Sequence, residues 1–326
     1  MNKIYVYIAL FFSMIVSSCT FKADESIVVP NQRPRLVVFC NARPDGSPSV
    51  QAIVVRTRNI GEKIFWDFQN RDSIIEKSTL KTVFRNNFSG VFFDTVKNVT
   101  CTFYKNDNLL STLIAPYTKF PLYESLNNID IKKNETYRIK VSALGFDEVT
   151  GEQVVPSDVL PTKVTFTPNN ISSKEFGKLS ELTVTFQDPL GEQNAYILNA
   201  NFVIYDPRKM SSKSYPARFI KIDPNVSSLN VTNDRFFNGN NFTWRVGIDL
   251  NNSILEDTTG KNVQLWTNFS AVSPDLEKFY KSLDIIAAAS DNSFSEPSTP
   301  FYNVKGGLGI FSISAKDTTV IIQIKK

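Results

Sequence analysis

The sequence predicts a mainly β protein built as two β-sandwich domains of immunoglobulin-like or transthyretin-like type, the second carrying one packed α-helix. Three observations point there. Short runs of β-branched and aromatic residues recur along the chain, separated by Gly, Pro, Asn and Asp turn signals. A single stretch shows the three-four spacing of an amphipathic helix. At 326 residues, 42% hydrophobic and 12% aromatic, the chain is long enough for about two domains and apolar enough to fill their cores.

Residues 1–18 are not part of that fold. Lys3 supplies a positive start, and Ile4 to Val16 form an apolar segment shorter than the ~20 residues of a membrane span. Val16-Ser17-Ser18 then places small residues just before Cys19. The stretch resembles a bacterial lipoprotein signal peptide with a V-S-S-C lipobox. In such proteins the cysteine becomes the first mature residue, carries a diacylglycerol on its sulfur and is acylated on its amine. Several acyl chains on Cys19 exceed the two signals that stable membrane anchoring needs. Residues 19–34 are polar, broken by Pro30 and Pro34, and read as a tether.

The N-terminal sandwich is expected over 35–156. Its strands are placed at 36–40, 50–56, 63–68, 91–96, 99–104, 109–114 and 136–143, divided by turns such as Pro44-Asp45-Gly46 and Asn106-Asp107-Asn108. Within the last strand, Tyr137, Ile139 and Val141 alternate with Arg138 and Lys140, the pattern of a strand with one buried and one wet face. After the link Pro156 to Pro161, the C-terminal sandwich over 157–326 has strands at 163–167, 182–187, 195–205, 219–222, 242–250, 263–270, 309–314 and 318–324. The helix lies near 274–289, where Leu276, Phe279, Tyr280, Leu283 and Ile286 form one face. Ser273 is placed to cap it, Pro274 fits its first turn, and Glu277 is expected to complete a capping box.

The second block carries an ordered set of segments: Phe186-Gln-Asp-Pro-Leu-Gly191, Asn194-Ala-Tyr196, Arg235-Phe-Phe-Asn-Gly239, Phe279-Tyr280, Phe294-Ser-Glu-Pro297 and Asn303-Val-Lys-Gly-Gly-Leu-Gly-Ile-Phe311. In this order, and with Arg35-Leu-Val-Val soon after Cys19, the chain resembles the Bacteroidetes outer-membrane lipoprotein family filed as domain of unknown function 4249. The likeness covers nearly the whole mature chain. Residues 40–43 depart from it, standing where a glycine is expected after the first strand. The resemblance implies an exported lipoprotein anchored to the outer membrane, on its periplasmic face or at the cell surface. It also implies a noncatalytic accessory or binding role beside a TonB-dependent receptor. A structural or adhesive surface protein and a carboxylate-based glycoside hydrolase are the alternatives.

Composition narrows the chemistry further. With no histidine, imidazole-based hydrolysis and histidine-ligated zinc are excluded. A net charge of +4 without a dense basic run does not fit a nucleic-acid partner. No catalytic residue, cofactor or metal is assigned; calcium, which takes oxygen ligands, lacks a D-x-D-x-D-G loop here. Asp188 and Glu192 are the carboxylate pair a glycosidase reading uses, although Asp188-Pro189-Leu190-Gly191 also reads as a turn. Cys40 and Cys101 are either a disulfide or two buried core thiols, since geometry decides. Gly306-Gly307-Leu308-Gly309 lacks the Lys-Thr of a phosphate loop and reads as a close backbone approach.

Among the aromatics, Trp244, Trp266, Phe236, Phe237 and Tyr302 are weighed as a ligand platform against the expectation that each is core. Phe236 and Phe237 form the best candidate ligand loop, because adjacent strand residues cannot both face one core. Ser73, Thr95, Thr258 and Thr318 follow aspartates in a pattern resembling the O-glycosylation signal of exported Bacteroidetes proteins, a pattern that ordinary turns also produce.

Overall fold

The computed structural model describes residues 33–57, 94–116, 121–222, 230–249, 261–290 and 299–324. Cys19, the strand expected at 63–68, Ser73, Thr258 and the Phe294-Ser-Glu-Pro297 segment lie outside the described residues. The chain lays down β1 (Leu36–Ala42), β2 (Val50–Arg56), β3 (Asp94–Thr95), β4 (Thr100–Lys105), β5 (Asn108–Leu113), β6 (Leu122–Glu124), β7 (Thr136–Ser142) and β8 (Val149–Val154). There follow β9 (Pro161–Ser173), β10 (Gly177–Gln187), β11 (Ala195–Asp206), β12 (Ser211–Pro216), β13 (Arg218–Lys221), β14 (Val231–Asn233), β15 (Asn241–Asp249) and β16 (Asn262–Val272). Helix α1 (Pro274–Ser290), β17 (Leu308–Ile313) and β18 (Thr318–Ile324) complete the order. The protein is mainly β, as its composition and periodicity predict.

Two sheets enclose the first core. One runs β17-β1-β2-β3 with β6 also on β2, and the other runs β5-β4-β7-β8. Tyr137, Ile139 and Val141 of β7 are fully buried, whereas Arg138 and Lys140 turn outward to Asp107 at 2.9 Å and Glu148 at 2.8 Å. Phe103 stacks on Tyr137 with ring centroids 5.4 Å apart and meets Phe311 edge-on at 6.2 Å. The second face of the β1–β2 pair is also covered, because Phe39, Ile53 and Val55 pack among helix residues. Burial on both faces explains why these two strands read as nearly continuous apolar runs.

β17 departs from the expected order. The sequence puts it in the C-terminal block, whereas it pairs in parallel with β1, from Val37↔Leu308 to Ala42↔Ile313. The glycine cluster makes this approach feasible. A Cβ at Gly309, whose φ is +110°, would lie 2.0 Å from the Val38 carbonyl oxygen, and one at Gly307 would lie 2.7 Å from that of Leu36.

The second core lies between sheets β13-β15-β10-β9 and β12-β11-β16-β18, with β14 added to β11. β11 alternates without a break from Tyr196 to Asp206: Leu198, Ala200, Phe202 and Ile204 face inward and the residues between them face out. Helix α1 packs where expected, against β11 and β14, and its Phe279 also meets Phe39 of the first sandwich at 6.0 Å. Its predicted capping box does not form. Glu277 sits one position beyond the third helical residue, Leu276, and neither Ser273 Oγ nor Glu277 Oε1 has a hydrogen-bond partner. Among the described residues, no helix is long and apolar enough to cross a membrane.

Candidate functional site

The connection 188–194 carries the chain from β10 to β11, from one sheet of the second sandwich to the other, and 234–240 carries it back from β14 to β15. Because Gln187 pairs with Asn241 and Ala195 with Asn233, both connections leave the same end of the sandwich side by side. They hold one another through backbone and short polar side chains. Asp188 N–H donates to the Asn240 carbonyl at 3.1 Å, and Gly239 N–H donates to Asp188 Oδ2 at 2.8 Å. Gly191 N–H donates to Asn238 Oδ1 at 3.0 Å. At the far side, Asn194 N–H donates to Asp234 Oδ2 at 2.7 Å while Asp234 N–H returns to the Asn194 carbonyl at 3.1 Å.

Beneath the turns lies an aromatic cluster. Phe237 is 7% exposed and stacks on Phe242 with centroids 4.0 Å apart, edge-on to Phe186 at 5.9 Å. Tyr196 adds a face against Phe269 and donates its hydroxyl to Asp188 Oδ1. Burial pushes the Asp188 carboxyl above its ordinary range, the Tyr196 and Gly239 donors oppose that rise, and Asp234 and Glu192 nearby reinforce it. Asp188 is therefore a buried tie between two turns. The chain turns at Leu190 and Gly191, directly after Asp188-Pro189.

This base presents apolar tips to solvent. Leu190 is 84% exposed and Phe236 77% exposed, with the Arg235 guanidinium carbon 5.8 Å from the Phe236 ring centre. The candidate pair thus divides: Phe237 anchors the turn and Phe236 stands out from it. The sequence signal for Leu190 is its place after Asp-Pro in a turn, which composition alone does not distinguish from other exposed turn residues.

Next to the turns opens a groove of about 720 Å³ lined by Glu152, Gln153, Glu192, Asn194 and Asp275 among others. Two of its carboxylates, Asp275 and Glu192, hold structure. Asp275 accepts from Gln153 Nε2 at 2.8 Å and Asn303 Nδ2 at 3.1 Å, and pairs with Lys278 at 2.9 Å. Burial alone would raise the Asp275 pKa; these donors outweigh it and the net shift is downward. Glu192 accepts from Ser157 Oγ at 2.7 Å. Among the described residues, no aromatic side chain lines the groove.

A second surface is the outward face of the β12-β11-β16-β18 sheet. Alternate residues Asn199–Tyr205, Ser212–Pro216, Asn262–Asn268 and Thr319–Gln323 make it up, and none of them is charged. Trp266 (39% exposed), Tyr205 (37%) and Ile321 (49%) stand among the amides and hydroxyls. The other aromatic candidates separate in the same way: Trp244 is fully buried, whereas Tyr302, expected in the core, is exposed.

Cys40 and Cys101 are free thiols, completely buried in the first core. Burial raises both thiol pKa values, and Cys101 adds to the rise at Cys40. Thr95 is exposed on β3, and Thr318 begins β18 opposite Phe269, half-buried. The aspartate before Thr318 is engaged by Arg43 at 3.0 Å. Among the described residues no cluster of His, Cys, Asp or Glu is arranged to hold a metal.

Comparison with known proteins gives a family and little more. A family model described as "Domain of unknown function (DUF4249)" matches residues 23–319. No curated protein matches the chain. Among solved structures, a DUF4785 family protein from Legionella pneumophila subsp. pneumophila str. Philadelphia 1 is 10% identical, with a TM-score of 0.22. That alignment covers 74% of this chain and 53% of the other, so the chain spans about half the length of that protein.

Proposed function

The chain belongs to the DUF4249 family, and from that premise we propose that it is an exported outer-membrane lipoprotein that binds and does not catalyse, an accessory to a TonB-dependent receptor. The lipobox ending at Cys19 supplies the membrane anchor. The observation that carries the binding role is the turn pair, in which Leu190 and Phe236 project from a base fixed by Asp188, Asn194, Asp234 and Asn238. Exposed apolar side chains on rigid supports bind macromolecules with little ordering cost, which is how interface anchors act.

The carboxylate-hydrolase alternative rests on the groove beside the turns. Glu152, Glu192 and Asp275 line it, but Asp275 and Glu192 are engaged with neighbouring side chains, and among the described residues no ring lines it on which a sugar could stack. These features support binding over hydrolysis. Affinity capture of the lipidated full chain from detergent-solubilised outer membranes tests the proposal. Co-purification of a β-barrel receptor is the expected result, and its absence under conditions that retain other membrane complexes contradicts the accessory role.

A further inference from the structure

The uncharged sheet face offers a surface separate from the turn pair. Charged residues make up 21% of the chain, yet the outward positions of β11, β12, β16 and β18 carry none. Solvent-facing sheet surfaces ordinarily hold lysines and glutamates, which keep them soluble and unpaired. This face instead holds Asn, Gln, Ser and Thr around Trp266, Tyr205 and Ile321.

We propose that this face binds an uncharged polysaccharide, with Trp266 as the stacking platform. The indole N–H of Trp266 donates to Gln264 Oε1 at 2.8 Å, which fixes the ring orientation and leaves the ring face available. Gln264 then has its amide nitrogen to offer, and Asn201, opposite Trp266 on β11, brings another amide with both donor and acceptor. Sugar hydroxyls need such two-way partners, and the apolar C–H face of a sugar ring needs an aromatic surface. Tyr205 pairs with Asn262, four residues along β16 from Trp266, so the two rings are separated by roughly 13 Å along the strands. A short oligosaccharide spans that distance while crossing the amides between. An anionic glycan has no cation to meet on these positions, which selects a neutral chain.

A second copy of the protein is the competing occupant, since interface cores also lose charge and gain Trp and Tyr. The dense row of amides argues against it, because each would need a partner once covered by protein, whereas a hydroxylated ligand supplies partners throughout.

Native affinity electrophoresis of the full chain in gels containing hydroxyethylcellulose, galactomannan, dextran or soluble starch tests the assignment. At least one of these neutral polymers should retard the protein, equally at low and high salt. Trp266→Ala should weaken the retardation roughly tenfold, Trp266→Phe should retain part of it, and Leu190→Asp should leave it unchanged. Circular dichroism establishes that each variant is folded. Because Leu190→Asp strikes only the turn pair, failure of receptor binding and failure of polysaccharide binding are read separately. No retardation by any of the four polymers overturns the assignment, as does retardation indifferent to Trp266→Ala. A Trp266-dependent dimer in sedimentation velocity, without retardation, assigns the face to self-association instead and also overturns it.

Discussion

Gly239 donates its backbone N–H to the carboxylate of Asp188 at 2.8 Å, joining two turns that are about fifty residues apart in the chain and run in opposite directions between the two sheets. The same carboxylate takes the Tyr196 hydroxyl, so one buried side chain ties both connections to the aromatic base. The arrangement makes the protruding Leu190 and Phe236 part of a rigid end.

Asp188→Asn keeps the shape but removes one acceptor, so either the Gly239 N–H or the Tyr196 hydroxyl proton loses the oxygen it donates to. Urea denaturation should show a loss of about 1–3 kcal/mol. The sign of its pH dependence follows from the raised folded-state pKa. Ionised Asp188 is disfavoured by burial, so the parent's advantage over the variant is smallest at neutral pH. It grows as pH falls through the raised value and is complete below the unfolded one.

Asp275 behaves in the opposite sense. Its pKa is lowered in the fold, so its contribution is present above the unfolded carboxylate value and disappears as pH falls through the folded one. The stability difference between the parent and Asp275→Asn should therefore shrink on acidification. A difference that grows instead would show that the bonds from Gln153, Asn303 and Lys278 do not favour the charged form.

Gly307→Val should prevent β17 from docking on β1. Its Cβ alone would sit 2.5 Å from Val149 Cγ2 and 2.7 Å from the Leu36 carbonyl oxygen. Poor recovery of folded protein, or a strongly lowered melting temperature, is expected. A variant as stable as the parent contradicts the parallel pairing.

Cys40 and Cys101 should resist alkylation by iodoacetamide in the reduced native protein and react once it is unfolded. Complete burial removes access, and the raised pKa removes the reactive thiolate.

Leu190→Asp and Phe236→Asp should each change stability by no more than about 0.5 kcal/mol, as exposed positions do. Thermal denaturation checks this, and a large loss at either position would mean that its side chain supports the fold and is not held out for a partner.

Much of this architecture is visible in the residues. β7 and β11 announce themselves by strict alternation, and the helix by Leu276, Phe279, Tyr280 and Leu283 on one face. What periodicity cannot carry is pairing at long range. β17 reads as one more strand of the C-terminal block, and nothing local says that its partner is β1, some 270 residues earlier. β6 and β14, three residues each, are too short to show a period. The capping box misses by one position, since the acid would have to stand at 276, which is Leu276, and Glu277 follows it.

The site is legible in part. Reasoning from alternation separates Phe236 from Phe237 in principle but cannot say which one is buried; the stack on Phe242 decides that. Leu190 and Phe236 share an end only because β10 pairs with β15 and β11 with β14. Trp266 faces outward because it alternates on β16 with the buried Leu265 and Thr267, whereas tryptophan in general tends to be core.

Photo-crosslinking from position 236 tests the central claim most directly. A photoreactive phenylalanine analogue in place of Phe236, in the full lipidated chain in its native cells, should give a covalent adduct with a β-barrel receptor of the outer membrane. The same analogue at the buried neighbour, position 237, should give none. Adducts with no receptor from position 236, in a protein shown to be folded and anchored, would contradict the accessory role.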